Sequence, residues 1–223
     1  MSKSKRLREG FTTGTAATAA AKAALLLLLK GESPSKVNVE LPNAEHMSIE
    51  VLEYEPIDSE QAAAVVQKDA GDDPDATHKA HIRCQVRLNP SEPRGQITLK
   101  GGQGVGLITR PGLPVPVGEP AINPAPRKQI SKCLAEVLLE ENYPGGVQVT
   151  VECSGGEKIA QKTLNPRLGI TGGISILGTR GTVKPFSLEA YKATITSGLD
   201  VARANAETTI ALTTGGRSER FLK

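Results

Sequence analysis

The feature that most constrains this fold is residues Ala16–Leu29, a run of alanine and leucine interrupted by one threonine and one lysine. Alanine and leucine have high intrinsic helix propensity. Thr12 or Thr13 can cap the N-terminus of such a helix, and Gly31 can end it. We therefore predict a helix over Thr12–Lys30. Because it is apolar on most sides, it should be a central helix packed against a sheet.

The basic residues 1–8 followed by this apolar run are reminiscent of a secretion signal. The segment Gly10–Thr15 separates the two parts, however, and Lys22 interrupts the run, which is also too short to span a bilayer. We therefore expect a buried helix in a cytoplasmic protein that does not associate with a membrane. The cysteines Cys84, Cys133 and Cys153 show no metal or redox spacing, so we expect reduced thiols in the core.

The rest of the chain alternates between strand and helix patterns. Strands are predicted at Lys36–Leu41, Met47–Leu52, Ala62–Lys68, His78–Leu88, Gln96–Lys100, Val147–Cys153 and Thr208–Thr213. Helices are predicted over Arg127–Glu141 and from a Ser187 cap to about Asn205. This order predicts an α+β domain over residues 1–205, followed at 206–223 by the first strand and turn of a truncated α/β domain.

Composition limits the partners that this chain can have. Aromatic residues make up 3% of the sequence and tryptophan is absent, so bases have few side chains to stack on. The formal net charge of +3 is mild for a protein of 223 residues. We therefore expect no nucleic-acid partner but an anionic small molecule. Homo-oligomerisation stays open.

The segment Lys162–Thr179 combines glycines, hydroxyls, one arginine and one asparagine around an apolar centre. Glycine allows a ligand to approach the backbone closely, and backbone N–H groups freed by tight turns can bind anions. A purely structural turn rarely needs so many such residues together. The segment predicts an anion-binding loop with these contact residues: Asn165, Arg167, Gly172, Gly173 and Ser175.

A second glycine-rich stretch, Gly101–Gly106, follows a predicted strand, as a dinucleotide-binding loop would. A Rossmann site also requires these glycines to open a helix. The proline-containing residues 107–114 cannot form that helix, so we favour a glycine-rich loop facing a ligand, with Gly102 and Gly104 as contacts.

Residues 109–126 contain six prolines and should form a stiff, extended segment, which at this length is usually functional. Arg110 and Arg127 lie beside proline, as Arg167 does in the anion-binding loop. Guanidinium groups on such rigid backbone suit carboxylates or phosphates, and we add Asn123 to this predicted set.

The residues Thr12, Thr13 and Gly14 open the first helix, where free N–H groups and the helix dipole favour an anion. Simple capping would need only one of the two threonines.

The stretch Lys68–Asp75 places four carboxylates within seven residues. Three interpretations are open: a metal site, a site for a cation such as a sulfonium, or a solvated acidic turn. The spacing is not that of an EF-hand, and we predict no metal. His78 follows and could act as a base, so Asp72, Asp73 and His78 are the candidate catalytic residues. The sequence contains no Ser/His/Asp signature and no nucleophile elbow.

Several motifs together resemble the CbiD family of cobalt-precorrin-5B methyltransferases of anaerobic cobalamin biosynthesis. The segments that carry the resemblance, in order, are Gly10–Thr15, Lys68–His78, Gly104–Pro116, Gly118–Arg127, Lys162–Thr179 and Leu212–Phe221. The position after Thr15 is often cysteine in the family and is Ala16 here, which indicates that no thiol is needed there. The family usually continues well past residue 223.

The resemblance implies methyl transfer from S-adenosylmethionine to carbon 1 of cobalt-precorrin-5B, giving cobalt-precorrin-6A, with cobalt present only as part of the substrate. It also implies a permuted GHMP-kinase-type (ribosomal protein domain-like) α+β fold. In this reading the anionic corrinoid contacts the loops above, and Gly215, Gly216 and Arg217 contact the methyl donor. Two alternatives stay open: a phosphate-binding small-molecule kinase and a non-catalytic anion-binding module.

Overall fold

The computed structural model describes residues 7–213 and 217–220. The helices are α1 (Thr13–Lys30), α2 (Pro124–Glu140), α3 (Gly156–Ala160), α4 (Leu188–Ala204) and α5 (Arg217–Arg220). The longer strands are β2 (Lys36–Glu40), β3 (His46–Glu50), β4 (Glu53–Pro56), β5 (Gln61–Gln67), β6 (His81–Asn89), β7 (Ile97–Gly101) and β10 (Gly146–Cys153). The two-residue strands are β1 (Gly10–Phe11), β8 (Gly104–Val105), β9 (Leu107–Ile108), β11 (Ile170–Thr171), β12 (Gly173–Ile174) and β13 (Thr182–Val183).

The predicted central helix is confirmed in α1. The Thr12 side chain accepts a hydrogen bond from the backbone nitrogen of Thr15, and Gly31 ends the helix in the left-handed region at φ 67°. Nearly every residue from Thr13 to Leu25 is buried. Lys22 is half-buried and lies at the edge of the core. Its Nζ atom donates a hydrogen bond to the carbonyl of Asn38 at 2.8 Å.

A five-stranded sheet with the order β4-β5-β6-β10-β7 forms the framework of the chain. The pairing of β10 with β7 is parallel, and the other pairings are antiparallel. Alternate residues of β6 and β10 are buried, so these strands present one apolar face. The helix α1 packs on β5 and β6, and α2 packs on α1 and β7. This layer of helices over a sheet confirms a mixed α and β fold.

Arg83 fastens the polar face of the sheet. Its Nε and Nη2 atoms donate to the carboxylate of Glu55 in β4, while Nη1 donates to Glu152 in β10 at 2.6 Å. One guanidinium on β6 therefore joins three strands, its own, β10 and the edge strand β4, and reaches across β5.

The short strands connect the glycine-rich segments. The strand β8 pairs in parallel with β12, β9 pairs with β11, and β1 pairs with β13. Gly104 has φ 75°, and a Cβ atom there would lie 1.9 Å from the carbonyl oxygen of Cys153. Only glycine fits this crossing point, which brings residues 101–106 onto residues 170–174.

Most predicted elements are confirmed, including the hairpin of β2 and β3 and the Ser187 cap of α4. The helix α2 begins at Pro124, three residues earlier than predicted, because prolines are tolerated in a first turn whose N–H groups lack intrahelical partners. The predicted strand Thr208–Thr213 is wrong. Those residues have no strand conformation, because β propensity is expressed on a half-buried surface and residues 208–212 are exposed.

The expectation of reduced, buried cysteines is also confirmed: Cys84, Cys133 and Cys153 are all free and buried. Burial raises the pKa of the Cys84 thiol well above its usual range and raises that of Cys133 and of Cys153 to about 11. Within the described ranges, no helix has the length and apolar character needed to cross a bilayer.

Candidate functional site

A cavity of about 130 Å³ lies where three distant parts of the sequence meet. The lining residues come from the start of α1, from the segment after β5 and from the segment between α3 and β13. They are Thr12, Thr13, Lys68, Asp75, Thr77, Thr163, Asn165, Ile174, Ser175, Leu177 and Val183. Eight of these eleven side chains can donate or accept hydrogen bonds, but carbon atoms supply most of the lining surface, so polar groups stand at a few points of a mostly apolar cavity.

Thr13 joins the N-terminus of α1 to the far wall of the cavity. Its Oγ1 atom accepts a hydrogen bond from the backbone nitrogen of Leu177 at 2.9 Å, and it donates to the carbonyl of Ser175 at 3.1 Å. The backbone nitrogen of Gly14 donates to the Leu177 carbonyl at 3.1 Å. A Cβ atom at Gly14 would lie 2.7 Å from Pro126 Cγ, so a larger residue would push α1 away from α2.

Asn165 and Ser175 form the floor of the same wall, and both are more than nine-tenths buried. The Asn165 Nδ2 group donates to the carbonyl of Gly173 at 2.9 Å, and Ser175 Oγ donates to Asn165 Oδ1 at 3.1 Å. These bonds satisfy the buried amide and hold the loop that carries Gly172 and Gly173. Asn165 and Ser175 of the predicted loop both line the cavity, and in the described structure their side chains bond to the protein itself.

The charged centre of the cavity is the pair formed by Lys68 and Asp75. Lys68 is 1% exposed, and its Nζ atom lies 2.5 Å from Asp75 Oδ2. The other carboxylate oxygen of Asp75 accepts from both the backbone nitrogen and the hydroxyl of Thr77, each at 2.7 Å. A buried lysine is stable only when such a partner compensates its charge.

Two effects act on the Asp75 carboxyl. Burial raises its pKa, but the Lys68 ammonium and the hydrogen bonds from Thr77 outweigh burial and hold the pKa below its usual value. Asp75 is therefore ionised near neutral pH, and the cavity contains one fixed positive and one fixed negative charge.

The predicted catalytic residues lie in the same segment, outside the cavity lining. Asp72 accepts from the backbone nitrogen of Arg8 at 2.7 Å, and Asp73 accepts from the backbone nitrogen of Phe186 at 3.0 Å. His78 Nδ1 accepts a hydrogen bond from the backbone nitrogen of Ala70 at 3.1 Å. All three side chains bond to backbone groups of neighbouring segments.

Asp69 is the most strongly perturbed carboxylate of this segment. Its hydrogen bonds from the Arg8 guanidinium are the main cause that lowers its pKa to about 2, against a smaller opposing effect of burial. The Gly71 backbone nitrogen also donates to it at 2.9 Å. Asp69 therefore anchors the N-terminal segment to the acidic turn. Within the described part of the chain, no group of three His, Cys, Asp or Glu residues is arranged to hold a metal ion.

The remaining predicted contacts lie around the cavity without lining it. Gly102 donates from its backbone nitrogen to the Val151 carbonyl at 2.8 Å, and Gly104 lies in β8 beside Gly173 in β12. Asn123 begins α2, but its side chain makes no capping hydrogen bond. These residues support the loops at the cavity's side.

The three arginines have different surroundings. Arg127 donates from Nε to the Ile122 carbonyl at 2.7 Å and reaches Glu119, so it largely supports its own loop. Arg110 is exposed, and its aliphatic stem packs over Gly169. Arg167 is also exposed and lies two residues from the cavity residue Asn165. Arg110 and Arg167 therefore belong to neighbouring surface segments.

The predicted donor-binding residues Gly215 and Gly216 lie outside the described residues, and Arg217 begins the short, exposed α5. Sequence reasoning missed Lys68, Asp75, Thr77 and Thr163. The available signal was Lys68 at the end of a buried strand, since lysine is almost never fully buried unless it is paired.

The chain is similar to known proteins of one family. A sequence model of the CbiD family matches residues 1–185. The chain is 50% identical over 221 residues to the cobalt-precorrin-5B C(1)-methyltransferase of Geobacillus kaustophilus, covering 99% of this chain and 58% of the relative. It is also 50% identical over 217 residues to the enzyme of that name from Priestia megaterium, covering 97% and 58%.

A solved structure supports the same grouping. The crystal structure of the cobalamin biosynthesis protein CbiD from Archaeoglobus fulgidus matches with a TM-score of 0.61 and 33% identity, covering 86% of this chain and 59% of that one. This chain therefore spans somewhat more than half the length of the curated relatives that it matches.

Proposed function

Since this chain belongs to the CbiD family, we propose that it forms the substrate-binding part of a methyltransferase acting on carbon 1 of cobalt-precorrin-5B. The methyl donor is S-adenosylmethionine, and the product is cobalt-precorrin-6A. The observation that carries the proposal is the cavity, because it joins three of the segments that carry the sequence resemblance: Gly10–Thr15, Lys68–His78 and Lys162–Thr179.

The lining chemistry suits direct transfer between two bound molecules. The cavity contains hydroxyls, an amide and an ion pair, and no cysteine is among its lining residues. In the transfer, the corrinoid carbon attacks the sulfonium methyl group, a C–C bond forms and the S–CH₃ bond breaks. The electron pair stays on sulfur, which leaves as a neutral thioether. Alignment of the two partners can contribute roughly 7–11 kcal/mol to such a step.

The corrinoid carries several acetate and propionate carboxylates, which require cationic and N–H partners on the protein. Arg110, Arg127 and Arg167 are proposed to hold these carboxylates. Arg110 and Arg167 are exposed on neighbouring surface segments, and Arg127 also donates to the Ile122 carbonyl and to Glu119. The loop residues Gly102, Gly104, Gly172 and Gly173 shape the adjoining surface, and Asn123 adds a side chain without a capping bond.

We propose that Asp72, Asp73 and His78 transfer protons at the acidic turn, which comprises residues 69–75. Their bonds to backbone groups give them fixed positions, but they lie outside the cavity lining. Gly215, Gly216 and Arg217 stay proposed for the methyl donor. We also propose the permuted GHMP-kinase-type description and the division into residues 1–205 and 206–223.

The test is a chimera in which this chain replaces the matching 221-residue region of the Geobacillus kaustophilus relative. The chimera is incubated with cobalt-precorrin-5B and methyl-labelled S-adenosylmethionine, and the product is weighed by mass spectrometry. We expect the gain of one labelled methyl group at carbon 1. An inactive chimera beside an active parent enzyme, with both folded, would contradict the proposal.

A further inference from the structure

We propose that the Lys68–Asp75 cavity binds an α-amino-acid head group, the zwitterionic end of the methyl donor. This inference rests on the proposed function, because it names the part of the donor that the site receives. It assigns direct ligand contacts to two residues, Lys68 and Asp75, that motif reasoning left without a role.

Lys68 has unused donor capacity. An ammonium group carries three N–H donors, and among the described residues Asp75 is the hydrogen-bond partner of Lys68 Nζ. The side chain is 1% exposed, so bulk water does not readily complete its hydrogen bonds. A ligand carboxylate in the cavity would supply the missing acceptors.

The start of α1 provides a second group for the same carboxylate. Thr13 is 3% exposed, and its backbone N–H donates to no acceptor in the described part of the chain. It is the first residue of an 18-residue helix, whose N-terminus favours negative charge. Because Thr13 and Lys68 line one cavity, a carboxylate there can meet both.

Asp75 supplies the complementary charge. A carboxylate has about four lone-pair sites, and Asp75 uses three of them, two for Thr77 and one for Lys68. The remaining site suits the ammonium group of an amino acid.

The charge balance favours a zwitterion over a simple anion. The Lys68–Asp75 pair is neutral overall, so a lone carboxylate would leave a net negative charge in a largely buried site. A zwitterion pairs both fixed charges and leaves no net charge. The cavity of about 130 Å³ exceeds the liquid volume of one water, about 30 Å³, roughly fourfold, which accommodates a head group of this size.

The experiment compares two thioether ligands by isothermal titration calorimetry. S-adenosylhomocysteine carries the amino-acid head group, whereas methylthioadenosine has the same nucleoside and sulfur without it. We expect this chain to bind S-adenosylhomocysteine at least tenfold more tightly than methylthioadenosine. We expect Lys68→Met to reduce that ratio below threefold, while the exposed control Lys192→Met, in α4 and outside the cavity segments, leaves it unchanged.

If Lys68→Met does not fold, a second variant tests the same inference. Asp75→Asn retains the lysine and removes the partner of the ligand ammonium, so it should also lower the ratio. Equal affinity of the unmodified chain for both ligands would overturn the inference and leave the proposed methylation intact, since the chimera assay tests that separately. Absence of binding of either ligand would overturn the inference as well.

Discussion

The Oγ1 atom of Thr13 lies 2.9 Å from the backbone nitrogen of Leu177 and accepts its hydrogen bond. These residues are 164 positions apart in the sequence, and the bond closes the cavity between the first helix and the glycine-rich loop. The same hydroxyl donates to the carbonyl of Ser175 at 3.1 Å. One buried side chain therefore satisfies a donor and an acceptor of the opposite wall.

Replacing Thr13 with valine should destabilise the chain. The substitution keeps the shape and removes the hydroxyl that donates to the buried carbonyl of Ser175 and accepts from the Leu177 N–H, at a cost of roughly 1–3 kcal/mol. Urea unfolding followed by circular dichroism measures the loss. The control is Thr196→Val, because the exposed Thr196 hydroxyl bonds within α4 to the Lys192 carbonyl. An equal loss of unfolding free energy in the two variants would show that the Thr13 bonds contribute no more to stability than an exposed helical hydroxyl does.

Alanine should have opposite effects at two helical glycines. At Gly14 a Cβ atom would meet Pro126 Cγ at 2.7 Å, so we expect a loss of about 1–3 kcal/mol from forced separation of α1 and α2. At Gly198 in α4 a Cβ atom would meet nothing within 4 Å, so helix propensity should add up to about 1 kcal/mol. Thermal unfolding of both variants checks this, and a stabilised Gly14→Ala variant would refute the packing described here.

Asp69 should make stability depend on pH in the acidic range. Its pKa is lowered to about 2 in the folded chain, mainly by the Arg8 guanidinium, against about 3.9 when unfolded. Its contribution is therefore present above about pH 4 and disappears as the pH falls through about 2. Asp69→Asn should lower the urea midpoint at pH 6, and the gap to the parent should narrow from pH 4 downward.

Asp200→Asn, on the exposed surface of α4, is the control for that titration. It should leave the pH profile of the urea midpoint as in the parent. A constant gap between Asp69→Asn and the parent from pH 6 to pH 2.5 would show that the Arg8 contact does not act through ionisation.

The three thiols should react slowly in the native chain. Burial raises the pKa of Cys133 and of Cys153 to about 11 and that of Cys84 further, so little thiolate is present at pH 8. Ellman's reagent should modify all three rapidly in denaturant and much more slowly in buffer. Fast reaction of one thiol in buffer would place that cysteine on the surface instead of in the core.

Local signals in the sequence predicted much of the fold. The alanine-rich run and its caps predicted α1, and alternation predicted β6 and β10. The sequence could not reveal that residues 208–212 are exposed and form no strand, because burial depends on distant residues. The strand β4 was missed for a local reason: it is a four-residue edge strand with two glutamates, and glutamate is depleted in strands.

The candidate site was only partly predictable. Thr12, Thr13, Asn165 and Ser175 stand in motifs, and the structure brings them to one cavity. Lys68 and Asp75 also stand in a motif. In the sequence, however, nothing distinguishes Asp75 from the neighbouring aspartates. Only burial and the 2.5 Å contact distinguish this pair from Asp72 and Asp73, which bond to backbone groups on the surface.

The most direct test of the central claim, that this cavity serves methyl transfer, is the rate of the chimera with and without Lys68. The initial rate of labelled-methyl incorporation into cobalt-precorrin-5B is measured by mass spectrometry for Lys68→Met and for the exposed control Lys192→Met in α4. We predict that Lys68→Met lowers kcat/KM at least tenfold while Lys192→Met stays within twofold of the parent. A folded Lys68→Met chimera with the parental rate would contradict the account.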